Sequence, residues 1–539
     1  MLGKNFIQLV LSVCLLLDSG NGAHVLFLSS VLYRQDVRIQ TVMAKGLIDN
    51  EDNVTVMAPI SYEDFSLLGF PIQTNFISLE NLAKVQQTGL TGAETENFYD
   101  VMNYAVATCG QFYAEPEISR LLSVQHTEYD VVIVNAEFNE CVLPVLIATE
   151  ANFIILSTTN RVPSYIKYSL GVPEQPSFSP DQWSLNDKLS FTKRMKALFN
   201  YRKLLHKMHW WYYRSVNSIA YQTIPSHISL LDSYQRASLI MQDANLGIDL
   251  SLPTFSSVVP IGGIQCRDGS PEALPEDILK FIDEAPHGVI FVSFGTVLKP
   301  SKLSFASLMK LVNVFGRVRQ RVIWVFDDLS VIELTKNVMP VKYIDQQSVL
   351  AHPKVVLFIT HAGHFSRQET IYHAVPCIAF PLFNPLQFAN ADYIQEKKIG
   401  IKFLIDAFSE EMLINGIMEV ITNPKFKNNI QQLSNQMRDT LSSPLDTTIF
   451  WIHYSIRNRG CSYLKSHSMH LYWFQYYLID VKIFVLVSTL LVLYVVTGIL
   501  RWCKNRYLQH RLQQQQSAQG QNSVNHESKK NFLNAMKNE

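Results

Sequence analysis

A chain of 539 residues, 47% of them hydrophobic, carries enough apolar side chain for two or three domains with full cores. Its 46 Lys and Arg balance 46 Asp and Glu, so no basic field draws nucleic acid to it.

Residues 1–23 begin with one early cation, Lys4, run through an apolar stretch at 6–17 and end on the small residues Asn21, Gly22 and Ala23. They read as a signal peptide. Short β-branched runs then alternate with helical stretches: HVLFLSS (24–30), NVTVMAP (53–59), DVVIVNA (130–136) and FIILST (153–158). A second series comes later in the chain, in GVIFVSFG (288–295), VIWVF (322–326), VVLFIT (355–360) and CIAFPLF (377–383). Continuous apolar strands separated by helices predict parallel sheets covered on both faces. The expected body is therefore two α/β domains in tandem, 24–250 and 251–440, linked within 225–260. Asn53 opens the one N-x-[ST] sequon, which a lumenal body would expose to glycosylation.

In sheets of this kind ligands collect beyond the carboxyl ends of the strands, where SFGT (293–296) and THAG (360–363) form turns. The stretch FITHAGHFSRQETIYHAVP (358–376) passes from an apolar run through such a turn into a helical pattern. Unpaired N–H groups at a helix start favour an anion, often a phosphate.

Between 199 and 215 aromatic and cationic residues mix, as in a membrane-surface segment, a lid over an apolar acceptor pocket, or a buried core patch. Segment 441–480 is expected to hold a docking helix, with Ile449, Ile452 and Ile456 on one face and Gly460 as its stop. The aromatics of YWFQYY (472–477) fit a membrane-interface belt. Residues 483–500 are 18 positions without a charge, long enough to span a bilayer. Arg501, Lys504, Arg506 and Arg511 come directly after, which predicts a cytosolic tail at 501–539 and a lumenal body. That tail is polar and expected to be disordered. Its Lys537 gives only an incomplete dilysine signal. Of seven cysteines, Cys14 lies in the leader and Cys503 beyond the span. The remaining five show no metal-like spacing and allow one or two bridges at most.

From 343 to 391 the sequence resembles the signature of the UDP-glycosyltransferases, and GVIFVSFGT resembles the strand and turn that precede it in that family. The resemblance runs from about 23 to 505 and is nearest to membrane-anchored animal members of the UDP-glucuronosyltransferase and UDP-glucosyltransferase type. It implies an α/β fold of GT-B type: two facing Rossmann-like domains, the first for the acceptor and the second for the sugar nucleotide, plus one C-terminal transmembrane helix. It further implies that His361 and the N–H groups from Gly363 to Ser366 hold a diphosphate, with Gly295 and Thr296 adding donors. Glu369 would accept from the ribose hydroxyls, although Ser366-x-x-Glu369 also reads as a capping box. Tyr343 stands where the family stacks a tryptophan on uracil, Gln346 where its glutamine sits, and Gln387 where a glutamine binds the sugar.

The family's proton-accepting histidine is replaced by Asp36 and its supporting aspartate by Asn135. An unperturbed carboxylate is a poor base for an alcohol at neutral pH, unless burial raises its pKa. His24, at the start of its strand, reads as structural. Ala362 replaces a turn glycine, and Leu386 replaces the aspartate that binds sugar hydroxyls, which weakens selection among hexoses. The expected partners are a UDP-sugar as co-substrate, a small lipophilic acceptor and the membrane. No other cofactor and no metal is expected, and homo- or hetero-oligomers are left open. The expected activity is an inverting hexosyl transfer, glucose favoured and glucuronic acid the other donor, in a single-pass protein of the endoplasmic reticulum. The alternative is an impaired pseudoenzyme that binds a lipophilic ligand or UDP-sugar, or pairs with an active relative.

Overall fold

The computed structural model describes residues 22–89, 98–123, 128–172, 190–224, 229–249, 254–295, 303–328, 333–382 and 385–536. The expected leader, apart from Gly22 and Ala23, and Thr296 lie outside them. The chain forms two units, Met1–Met469 and His470–Glu539.

The first unit holds two sheets. One contains β1 (His24–Leu28), β2 (Asn53–Ala58), β3 (Asn75–Ser78), β4 (Val131–Asn135), β5 (Phe153–Ser157), β6 (Leu239–Gln242) and β7 (Val258–Pro260), in the order β3-β2-β1-β4-β5-β6-β7. The other contains β8 (Val289–Ser293), β9 (Arg321–Val325), β10 (Val338–Val341), β11 (Val355–Thr360), β12 (Cys377–Ala379) and β13 (Gly400–Lys402), in the order β10-β9-β8-β11-β12-β13. Every pairing is parallel. Helices cover both faces, so β4 and β5 are buried at every position, and this is why they read as unbroken apolar runs. In each sheet the order reverses beside its first strand, β1 or β8, which opens a crevice at the strands' carboxyl ends. The first sheet ends at Pro260, past the boundary expected at 250, because the short strand β7 adds to its edge.

Six helices frame the site or carry the chain to the membrane: α1 (Arg34–Asp49), α2 (Phe191–Lys207), α3 (His364–Tyr372), α4 (Pro385–Glu396), α5 (Pro444–Arg457) and α6 (Ile479–Ala535). Helix α2 continues through a π-helical turn at Met208–Tyr212. In this region Met208, Tyr212 and Tyr213 are buried while Phe199 and Trp210 are exposed, so it supplies both core and surface.

Helix α5 comes after the second sheet in sequence yet docks on the first domain. Ser443 caps it by accepting from the N–H of Asp446, Pro444 occupies its first turn, and Gly460 turns the chain away at φ +91°. Ile449 and Ile452 join the core around β1 and β4. Leu445 packs on Gly46, where a Cβ would fall 2.7 Å from its Cδ1. Cys109 and Cys141 form a disulfide with Cα atoms 5.6 Å apart.

In the second unit, α6 contains an 18-residue window of mean hydropathy 2.7 and is long and apolar enough to cross a membrane. The polar tail expected to be disordered continues α6 to Ala535. Its Gln, Lys, Arg, Leu and Ala residues are strong helix formers, and no proline interrupts them.

Candidate functional site

The second domain forms a cradle where β11 ends. Thr360 leads into a turn in which Ala362 takes φ +59°, a left-handed conformation that a Cβ disfavours. Asn390 of α4 holds that turn by donating to the carbonyl of Ala362 at 2.9 Å. The imidazole of His361 sits between two glycines. A Cβ on Gly295 would lie 2.6 Å from its Cε1, and one on Gly363 2.5 Å from its Nε2.

Helix α3 starts at His364 with Gly363 at its N-cap, so no side chain satisfies its first N–H groups. Ser366 is buried inside the helix, not at its cap. The capping-box reading of Ser366 and Glu369 therefore fails, because the backbone turn at Gly363 starts the helix three residues earlier. Nδ1 of His361 is buried without a partner, and burial pushes the ring's pKa down to about 4. A neutral imidazole beside uncapped N–H groups can donate to a phosphate oxygen without itself charging.

Three side chains of α3 lock it to the end of β6. His364 Nε2 lies 3.0 Å from Asp243 Oδ2, and Gln368 donates to Asp243 Oδ1 at 3.0 Å. The fully buried Arg367 pairs with Asp249, which also accepts from Asn160 at 3.2 Å. Glu369 is fully buried; Gln346 donates to it at 2.6 Å, and Arg38 of α1 reaches across from the first domain to 2.5 Å. Arg38 also lies over the ring of Phe365, 5.6 Å from its centroid. Gln387 is buried and accepts from the N–H of Leu382 at 2.9 Å, and Leu386 beside it is buried too. Tyr343 is 84% exposed, a ring free to receive a flat partner.

On the facing domain, Asp36 stands in the first turn of α1 and is only 2% exposed. Its Oδ2 accepts from the Tyr33 N–H at 3.0 Å and its Oδ1 from the Thr158 hydroxyl at 2.6 Å. Burial raises its carboxyl to about 6. Asn135, at the end of β4, accepts from Gln40 at 3.2 Å and donates to Ser29 Oγ at 3.4 Å. The two residues share a rim but have separate partners, so they do not form a hydrogen-bonded dyad.

Sequence reasoning missed Glu137, two residues past Asn135. It is half-buried, its Oε1 lies 3.5 Å from the Thr159 hydroxyl, and burial with the nearby charge of Asp36 raises its carboxyl to about 7. Beside it the buried Glu140 accepts from the hydroxyls of Tyr212 at 2.6 Å and Tyr234 at 2.7 Å. The available signal was NAEFNE (135–140), with two carboxylates just beyond a strand end, where ligands collect. Arg38 was missed as well, since only the fold brings it to Glu369. Among the described residues no group of His, Cys, Asp and Glu is arranged to hold a metal ion.

The chain resembles known proteins over most of its length. It is 31% identical over 455 residues to UDP-glycosyltransferase UGT4 of Dactylopius coccus, covering 82% of this chain and 87% of that one. It is 26% identical over 512 residues to UDP-glucuronosyltransferase 1A7 of Mus musculus, covering 91% and 93%. Two solved structures share the fold: the glycosyltransferase VinC in complex with DTDP, at TM-score 0.55, 14% identity and coverage of 81% and 99%, and a UDP-glucosyltransferase from Polygonum tinctorium, at TM-score 0.53, 16% identity and coverage of 81% and 99%. The family model described as UDP-glucoronosyl and UDP-glucosyl transferase matches residues 51–514. With that match over most of its length, on two parallel α/β sheets, the chain belongs to the UDP-glycosyltransferase family.

Proposed function

We propose that the protein transfers a hexose from a UDP-sugar to a small lipophilic acceptor by a single inverting displacement. The observation that carries this reading is the cradle: the unpartnered Nδ1 of His361 beside the uncapped start of α3, between two glycines that admit no Cβ. The turn at Gly295 and Thr296 adds donors for the diphosphate, which is bound by His361 and the N–H groups of 364–366. These donors are fixed in advance, where charge grows on UDP as the glycosidic bond breaks. Tyr343 stacks on uracil and Gln346 orients Glu369. Glu369 accepts from the ribose once Arg38 is displaced, and Gln387 meets the sugar.

Glucose is favoured over glucuronic acid because residues 383–396 around Gln387 contain no cation, and two cations that pack on α4 are already engaged. Lys402 pairs with Asp392 at 2.6 Å and Arg367 with Asp249, which leaves neither for a sugar carboxylate. The α6 span anchors the protein, with the tail cytosolic and the body in the lumen of the endoplasmic reticulum. The Cys109–Cys141 bridge suits that oxidising compartment, and Asn53 is exposed for a glycan.

A second reading, a binding protein without catalysis, draws on the separation of Asp36 from Asn135 and on the cover that Arg38 gives Glu369. The two are told apart with membranes carrying the full chain, UDP-glucose or UDP-glucuronic acid, and a mixture of phenols. Acceptor-dependent release of UDP supports transfer. UDP binding without release supports the binding protein, and no UDP binding removes the donor assignment altogether.

A further inference from the structure

Resting on the transferase reading above, we infer that Glu137 is the group that takes the acceptor's proton, and that Asp36 is a positioning residue beside it. Asp36 is poorly placed for the task. It is almost wholly buried, and each of its oxygens already accepts a hydrogen bond, from Tyr33 N–H and from Thr158. An acidic side chain in the first turn of α1 also satisfies the helix start and its dipole.

Glu137 differs in each respect. It lies just past β4 on the crevice rim and is half-buried, hence reachable. Among the described residues its carboxylate meets only the long 3.5 Å contact from Thr159, so lone pairs remain for an incoming hydroxyl. Its backbone is held firmly: Asn139 donates to the Glu137 carbonyl at 3.0 Å and accepts from the N–H groups of Ser30 at 2.8 Å and Val31 at 2.9 Å. Of two adjacent threonines beyond β5, Thr158 donates to Asp36 at 2.6 Å, whereas Thr159 donates to the Arg161 carbonyl at 2.8 Å and only approaches Glu137, at 3.5 Å.

The titratable groups facing Glu137 are Asp36 and Tyr33 at the start of α1, Glu140 on its own loop, and Tyr165. None is a cation. Burial and the like charge of Asp36 raise the carboxyl to about 7, which suits a base working at neutral pH.

In the step, Glu137 accepts the acceptor's O–H proton while the acceptor oxygen bonds to the anomeric carbon. The bond from that carbon to the diphosphate breaks, UDP leaves with the electron pair, and Glu137 later gives its proton to water. The same carboxylates repel an acidic acceptor, so the substrate class narrows to phenols and alcohols over carboxylic acids.

The test uses membranes bearing the full chain, UDP-glucose, and phenols graded in acidity, comparing wild type with E137Q, E137D and D36N. E137Q is expected to lower transfer to a weakly acidic phenol by roughly 10²- to 10³-fold with UDP affinity unchanged. Its deficit shrinks on nitrophenol, which ionises without help, and the rising limb of kcat/KM near neutral pH disappears. E137D retains part of the rate, and D36N keeps the limb but moves it to lower pH. Transfer by E137Q within a few-fold of wild type on the same pH profile overturns the assignment and leaves the transferase reading standing. A fall in UDP affinity in step with the rate overturns it in favour of a structural role. No transfer by wild type that binds UDP overturns both.

Discussion

Arg38→Gln removes the guanidinium that spans the two domains and covers Glu369, the proposed ribose acceptor. The Arg38 side chain is 40% exposed and that of Glu369 0% exposed. A charge-assisted bond to a buried carboxylate contributes about 1.5–3 kcal/mol, and the exposed arginine brings this pair below that range, to about 1–1.4 kcal/mol. Donor binding must displace the arginine, so its removal should tighten the Kd for UDP by roughly five- to tenfold. Gln346 still donates to the carboxylate at 2.6 Å, which keeps Glu369 oriented. Calorimetry of UDP binding to the solubilised full chain reads this directly, with Arg38→Lys expected in between and Glu369→Gln weaker than wild type. Weaker binding by Arg38→Gln would refute the reasoning, because it would mean that Arg38 grips the nucleotide; unchanged binding would show that the pair does not compete with the donor.

Glu137→Gln should also alter stability with pH. The folded carboxyl is raised from 4.5 to about 7, so folding favours its protonated form, and that contribution is present below pH 4.5 and lost as pH rises towards 7. Glu137→Gln should therefore melt like wild type near pH 4 and be stabilised by about 1–2 kcal/mol at pH 8, discounted for partial exposure; equal melting at both values would contradict the burial argument. Replacing Cys109 and Cys141 by Ser opens a loop with sequence separation 32 and should cost about 4 kcal/mol. The cost is checked by denaturation, and reductant should erase the difference from wild type. Arg367→Ala strands Asp249 in a buried site and should destabilise by about 3–5 kcal/mol, with part recovered when Asp249→Asn is added. Full stability of the single variant would show that the pair is dispensable.

Most of the scaffold could be read from local pattern. Strand β11 occupies the residues expected, 355–360, because a strand buried on both faces leaves an unbroken apolar run. Edge strands left weaker traces. β10 is four residues with Pro340 inside it, tolerable only at an edge, and β7 and β13 are three residues each. The start of α3 has no side-chain signal in the sequence, because Gly363 caps by backbone alone, and this is why the capping-box pattern at Ser366 and Glu369 misleads. The tail's polarity suggested disorder, while its helix propensity carried α6 onward.

At the site, the residues proposed to hold the donor fall within one contiguous stretch, 343–387, apart from Gly295 and Thr296, so local pattern suggests them together. The acceptor side is not legible in this way. Asp36 and Glu137 are about a hundred positions apart in sequence, and only the pairing of β1 with β4 brings their loops together. Whether a carboxylate is free or already bonded is a tertiary fact. The sequence therefore pointed to Asp36, the residue whose oxygens turn out to be occupied. Arg38 was equally silent, since its partner Glu369 belongs to the other domain.

The most direct measurement is UDP release from UDP-glucose by the full chain in membranes, with and without a phenol, compared with His361→Ala. Release is expected to depend on the phenol and to fall sharply in the variant. Release that ignores the acceptor, or that His361→Ala leaves intact, would contradict a diphosphate cradle at β11 serving hexosyl transfer.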